Sequence, residues 1–201
     1  MKDKSKEFWE ERYSEEEYIY GKDPNFFFRT QLDKLNPNSI LLPADGEGRN
    51  AVFAAKTGWD VTAFDLSKAG KAKAIALAER NDVEINYEIT SAEEFDSDIN
   101  FEVIALIYAH FNAEDRPGIH DHLLQFLKPG GILIFEAFSK KQFDYNSGGP
   151  KEQAMLFSKE ELRNEFSGLT IKYLEELEIE QNEGKYHKGK SCVLQMIGEK
   201  N

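Results

Sequence analysis

Between Ser39 and Phe138, short apolar runs alternate with longer stretches in which apolar residues recur every three or four positions. The runs "SILLPA", "WDVTAFD", "EINYEI", "FEVIALIYA" and "ILIFEAF" have the length and side-chain types of strands. Between them, "RNAVFAAKTG", "SKAGKAKAIALAERN" and "RPGIHDHLLQFL" read as helices. Gly58 ends the first, Ser67 is the N-cap candidate of the second, and "KPGG" closes the third. Strands separated by helices of this length make βαβ units and a parallel sheet. Nearly continuous apolar strands fit a sheet covered on both faces.

The flanks follow other patterns. Residues 4–20, "KSKEFWEERYSEEEYIY", predict a helix with Phe8, Trp9, Arg12 and Tyr13 facing inward. "GKDPN" breaks the chain, "FFFRTQLDKL" predicts a second helix, and "NPNS" is a turn. After Phe138 a Gly- and Lys-bearing polar loop leads to a short helix, "SKEELRNEF". The segments "LTIKYLEELEIEQ" and "SCVLQMIGEK", joined by "NEGKYHKGK", predict an antiparallel pair at the sheet edge, with Cys192 a small hydrophobe within it.

Composition narrows the function. A chain of 201 residues suits one domain. No apolar run approaches the roughly 18 residues that span a bilayer. "MKDKSKEFWEERY" places charges where a signal peptide needs an apolar core, so a cytoplasmic protein is expected. The single cysteine leaves no internal disulfide and no Cys-cluster metal site. A net charge of −12, from 25 basic and 37 acidic residues, argues against broad nucleic-acid binding. The expected partner is a small molecule, with no nucleic acid or membrane, and no metal is expected. Oligomeric state is not legible.

The chemistry concentrates in "ILLPADGEGRN", residues 40–50. Gly46 and Gly48 let the chain turn tightly between a buried strand and a helix, and the helix N-terminus offers free N–H groups to a ligand. Asp65 ends the next strand about 20 residues on, where a carboxylate can accept hydrogen bonds from ribose hydroxyls. Both NAD-type dinucleotides and S-adenosylmethionine fit this logic. Some 38 mostly helical residues before the glycine strand, and little chain after the sheet, favour S-adenosylmethionine.

"GEGRNAVFAAKTGWDVTAFDLS" and "LKPGGILIFEAF" resemble motifs of the class I S-adenosylmethionine-dependent methyltransferases. The opening "FWEERY…YGKDPNFFF" and the hairpin "EGKYHKGK" resemble the tellurite-resistance and thiopurine methyltransferase-like branch. The resemblance covers nearly the whole chain and implies a Rossmann-like α/β fold. That fold has a seven-stranded, mostly parallel sheet ending in an antiparallel hairpin, with helices on both faces and an N-terminal helical cap. It implies one methyltransferase domain over 1–201, with a cap at 1–38, a cofactor-binding core at 39–137, and a substrate loop and hairpin at 138–201. Gly46 and Gly48 would pass under the methionine part of the cofactor, and Arg49 would reach its carboxylate. Asp65 would hold the ribose, Leu66, Ser91 and Ala92 would meet the adenine, and Ile107 and Tyr108 would flank the sulfonium. Arg12, Tyr13 and Tyr20 are cap candidates. The family's acidic residue and third glycine are Leu42 and Ala44 here, and Asp45 is the substitute acid.

Methyl transfer needs a base only where the nucleophile must lose a proton. His187 matches the branch's hairpin histidine, although the arginine that follows it there is Lys188 here. His110 follows the fourth strand of the core. His120 and His122, two apart on a helix, lie on different faces. Lys140, Lys141, Lys185, Lys188 and Lys190 either draw in an anionic substrate or form a solvated face. The expected function is methyl transfer to a small molecule, with S-adenosylhomocysteine as product. The alternatives are a non-catalytic S-adenosylmethionine-binding protein and an NAD-type oxidoreductase.

Overall fold

A computed structural model describes residues 2–201, with side chains from Ser5 onward. Its elements run α1 (Lys2–Tyr13), α2 (Phe26–Leu32), β1 (Ser39–Pro43), α3 (Arg49–Lys56), β2 (Asp60–Asp65), α4 (Lys68–Glu79) and β3 (Asn86–Ile89). They continue with β4 (Phe101–Ile107), α5 (Arg116–Gln125), β5 (Leu127–Phe138), α6 (Lys159–Glu165), β6 (Leu169–Glu183) and β7 (His187–Lys200). The sheet order is β3-β2-β1-β4-β5-β7-β6. The first five strands pair in parallel, and β7 runs antiparallel between β5 and β6.

Strand alternation sorts the core into two layers. Ile40, Leu42, Val103, Ala105 and Ile107 pack against Phe27, Phe28, Ala51 and Ala74 of α2, α3 and α4. Leu41, Ile104, Leu106 and Phe135 pack on the other face against Ile119, Leu123 and Leu162 of α5 and α6. Beneath that second layer, Arg116 and His120 of α5 both bind Glu165 of α6, at 2.6 and 2.9 Å. His122 instead turns to the Phe95 carbonyl. Ser67 caps α4 through the Gly70 N–H, and Ser158 with Glu161 forms a reciprocal capping box on α6.

Four expectations change. The first helix ends at Tyr13 and does not run to Tyr20, because donors beyond its last turn find another acceptor. Ser14 closes on Glu10, while the Ile19 and Tyr20 N–H groups donate to Glu47 Oε2. Phe8, placed on the inward face, is 48% exposed. "KPGG" does not follow a free helix end: α5 stops at Gln125, and these residues are already the start of β5. Cys192 is buried in an interior strand, β7, and the edge is β6.

Candidate functional site

The loop after β1 is shaped by backbone that L side chains avoid. Ala44, Gly46 and Gly48 have φ of 53°, 57° and 81°, the left-handed region where glycine costs least. Space is as tight as conformation: a Cβ on Gly46 would lie 2.4 Å from the Tyr13 hydroxyl, and one on Gly48 would lie 2.5 Å from Ala74 Cβ. The glycines therefore admit α1 and α4 to the loop. Tyr87 fixes the same turn by donating to the Gly46 carbonyl at 2.7 Å.

Asp65, at the end of β2, accepts from the Gly46 N–H at 3.1 Å and the Ser67 N–H at 2.9 Å. Burial raises its pKa to about 6 against those two hydrogen bonds. Leu66 is half-buried beside it. The Thr90 N–H donates to the Asp65 carbonyl and brings Ser91 and Ala92 alongside. Ser91 Oγ is buried without a hydrogen-bond partner, and Ala92 belongs to the core. Asp45 caps α3, accepting from Asn50 Nδ2 at 3.0 Å and the Ala51 N–H at 3.1 Å, and burial raises it to about 7. Leu42, where the family has an acid, is buried core.

The cap closes over this loop through Glu47 and Glu10, which sequence reasoning passed over, and through the expected Arg12, Tyr20 and Arg49. Glu47 takes the Ile19 N–H at 2.8 Å and pairs with Lys73 at 2.8 Å. Glu10 of α1 accepts from Ser67 Oγ at 2.7 Å and the Ala69 N–H at 3.2 Å. Arg12 donates to the Tyr20 hydroxyl at 3.0 Å and lies over the Phe8 and Tyr186 rings. Arg49 donates to the Tyr20 carbonyl at 3.2 Å and to Glu183 at 2.7 Å.

On the hairpin side, His187 is 6% exposed, so it is no surface residue. Its ring contacts Tyr20, Tyr108 and Phe138 at centroid distances of 4.6, 4.6 and 5.1 Å. Burial lowers its pKa, and Nδ1 lies 3.6 Å from Glu183, beyond hydrogen-bond range. Burial alone would raise Glu183, but His187 and Arg49 outweigh it and bring the carboxyl down to about 2. Tyr108 follows β4 with φ 54°, directly after Ile107, whose register partner on β5 is Glu136. Glu136 is buried and accepts from Asn25 Nδ2 and Gln195 Nε2, each at 2.6 Å, and from Tyr108.

His110 stacks on Phe138, the ring that also meets His187, and lies against Phe157. Its Nδ1 faces the Met155 carbonyl at 3.0 Å. A carbonyl only accepts, so Nδ1 carries the proton and Nε2 is a bare acceptor. That Nε2 is buried and unpartnered, and burial lowers the ring to about 4. The loop lysines are largely committed: Lys140, Lys185 and Lys190 pair with Glu161, Glu15 and Glu178 at 2.7, 2.8 and 2.8 Å, and Lys141 with Glu176. They make a solvated face.

A family profile described as "Methyltransferase domain" matches residues 40–131. A ubiquinone biosynthesis O-methyltransferase of Rickettsia typhi is 31% identical over 132 residues, 66% of this chain and 52% of that protein. The probable S-adenosyl-L-methionine-dependent methyltransferase TehB of Haemophilus influenzae is 26% identical over 158 residues, 77% of this chain and 52% of that protein. The chain thus spans about half the length of these curated relatives. The N-methyltransferase NodS of Bradyrhizobium japonicum, solved with S-adenosyl-L-homocysteine, superposes with a TM-score of 0.70 over 98% of both chains at 16% identity. The likeness to NodS shows the fold. Over its core the chain is similar to S-adenosylmethionine-dependent methyltransferases, with TehB among its relatives.

Proposed function

We propose that this chain is a class I methyltransferase, which moves a methyl group from S-adenosylmethionine to a small-molecule acceptor. One observation carries the reading: a carboxylate, a left-handed glycine turn and a strand-end tyrosine meet at the C-terminal ends of β1, β2 and β4. Open α/β sheets bind their ligands at that end. The residues fit the cofactor. Asp65 keeps lone pairs beyond the two backbone N–H groups it accepts, and the nearby Ser91 hydroxyl is unpartnered.

When bound, the cofactor supplies a methyl group on a sulfonium, a leaving group that needs no further activation. The protein's work is then alignment and exclusion of water. In this reading Asp65 holds the ribose, Leu66, Ser91 and Ala92 line the adenine, and Gly46 and Gly48 keep the floor low. Ile107 and Tyr108 flank the reacting carbon. Arg49 offers its charge to the methionine carboxylate in competition with Glu183. Asp45 serves by holding Asn50 and α3, and Arg12 and Tyr20 hold the cap. His110 offers a bare Nε2 as a proton acceptor, a weak base with burial holding the ring near 4. His187 is a positioning residue that fixes Tyr108 and Glu183.

The acceptor atom is open, since one relative is named for an oxygen acceptor and another for a nitrogen acceptor. Residues 1–38 are read as a cap, 39–137 as the cofactor core, and 138–201 as substrate loop and hairpin. A cytoplasmic setting belongs to the same proposal, on the strength of the single cysteine. The test is incubation with S-adenosylmethionine and a small-molecule acceptor library, following S-adenosylhomocysteine and methylated product. Acceptor-dependent turnover, lost in Asp65→Ala, is expected. Cofactor binding with no turnover on any acceptor would make this a binding protein without catalysis.

A further inference from the structure

A cavity of about 310 Å³ lies between the cap segment, the glycine-loop arginine and the hairpin. Its charged lining is one-sided: Asp23, Glu136, Glu180 and Glu183 face it, against Arg49 alone. Arg49 is already committed to Glu183 at 2.7 Å. Glu136 is 1% exposed, and its oxygens meet only neutral donors, the amides of Asn25 and Gln195 and the Tyr108 hydroxyl. Asn25 spends its two amide hydrogens on two different carboxylates, Glu136 at 2.6 Å and Glu183 at 3.1 Å. A buried carboxylate with no cation is costly, and its natural complement is a ligand's positive charge.

Two further observations point to a ligand. His187 Nδ1 is buried without a hydrogen-bond partner 3.6 Å from Glu183, a member of this lining. The remaining wall is part amide, from Gln181, Asn182 and Gln195, and part apolar, from Phe27, Ile179 and Phe26, which is 78% exposed. The cavity adjoins the cofactor side, because Arg49 and Tyr20 stand in both and Glu136 is the register neighbour of Ile107.

The geometry points to this cavity as the acceptor subsite, specific for a small molecule that carries an amine as its ammonium on an apolar body. The ammonium, which has no lone pair and so is the recognised group and not the methylated atom, meets Glu136 and Glu183, and the body lies against Phe26, Phe27 and Ile179. The inference rests on the methyltransferase reading only for the word acceptor. The preference for a cation follows from the lining itself. It also sets aside the anionic acceptor that the loop lysines suggested, since no lysine lines the cavity.

The test is ligand-observed NMR on the full chain with three probes of one shape: 2-phenylethylamine, 2-phenylethanol and phenylacetate. Each is titrated with and without S-adenosylhomocysteine, whose own binding is followed by calorimetry in the same samples. The amine is expected to bind about tenfold tighter than the alcohol, with phenylacetate weakest. Glu136→Gln should erase the amine's advantage. Glu180→Lys, an exposed substitution that leaves the core alone, should weaken the amine several-fold without changing S-adenosylhomocysteine affinity. Equal binding of amine and alcohol, tightest binding of phenylacetate, or an unchanged preference in both variants would overturn the inference. Amine preference without S-adenosylhomocysteine binding would uphold the cation site and overturn the methyltransferase reading.

Discussion

The two sides of the site are built by different means. The glycine-loop side is made of main chain and residues close in sequence: Asp65 bonds Gly46 and Ser67, and Asp45 bonds Asn50 and Ala51. The hairpin side is made of side chains brought from far apart, with Asn25 joined to Glu136 and Glu183 and Arg49 joined to Glu183. The electrostatics diverge in the same way. Burial raises both loop aspartates and, across the site, Glu136, whereas a guanidinium and an imidazole bring Glu183 down to about 2. The loop side stores the cost of buried charge near backbone donors, and on the hairpin side an ion pair offsets it for Glu183 but not for Glu136.

Removing that ion pair is the largest way to break the contrast. Glu183→Ala leaves Arg49 buried and unpaired, which should cost about 3–5 kcal/mol in urea unfolding. A loss below about 1 kcal/mol would mean that the hairpin is held by something else. On the loop side, Gly48→Ala forces a Cβ into contact with Ala74 at φ 81°. It should cost about 2 kcal/mol, visible as a lowered urea midpoint with an unchanged m-value.

The pH dependence sets Glu183 apart by sign from the loop aspartates and from Glu136, which burial also raises. Glu183's folded pKa of about 2 lies below its unfolded value, so its contribution is complete above about pH 4.5 and lost as pH falls through 2. Asp45 and Asp65 titrate near 7 and 6 when folded, above their unfolded values, so their contribution is complete at about pH 4 and lost as pH rises toward 7. Between these limits each aspartate should subtract up to about 1.4 kcal/mol per pH unit. Asp45→Asn should flatten that slope in unfolding measured from pH 4 to 7, and an unchanged slope would contradict the assignment. The smallest effect belongs to the outer hairpin charges. Lys159→Ala, which breaks an exposed pair with Glu175, should change stability by less than about 1 kcal/mol.

This division also explains what the sequence made legible. Gly46, Gly48 and Asp65 announce themselves because a strand, a tight turn and a strand end are local patterns, and the structure brings them together. Ser67 as an N-cap is equally local. Glu136 was missed, although one acid inside the apolar run "ILIFEAF" is a signal that could have found it, and nothing pointed to its partners Asn25 and Gln195. Glu183 and His187 face each other only through the β6–β7 register. Periodicity does not specify that pairing, and a lysine-rich setting disguised a buried histidine. The helix expected over 4–20 failed for a similar reason, since Glu47, far along the chain, claims the donors that would have extended it.

Calorimetric titration of the purified protein with S-adenosylmethionine, beside Asp65→Ala and with NAD as the control ligand, tests the central claim most directly. The account predicts stoichiometric micromolar binding of S-adenosylmethionine, none of NAD, and loss of binding in the variant while it remains folded. Folded wild-type protein that gives no heat with S-adenosylmethionine, or binds it equally well without the Asp65 carboxylate, would contradict the account.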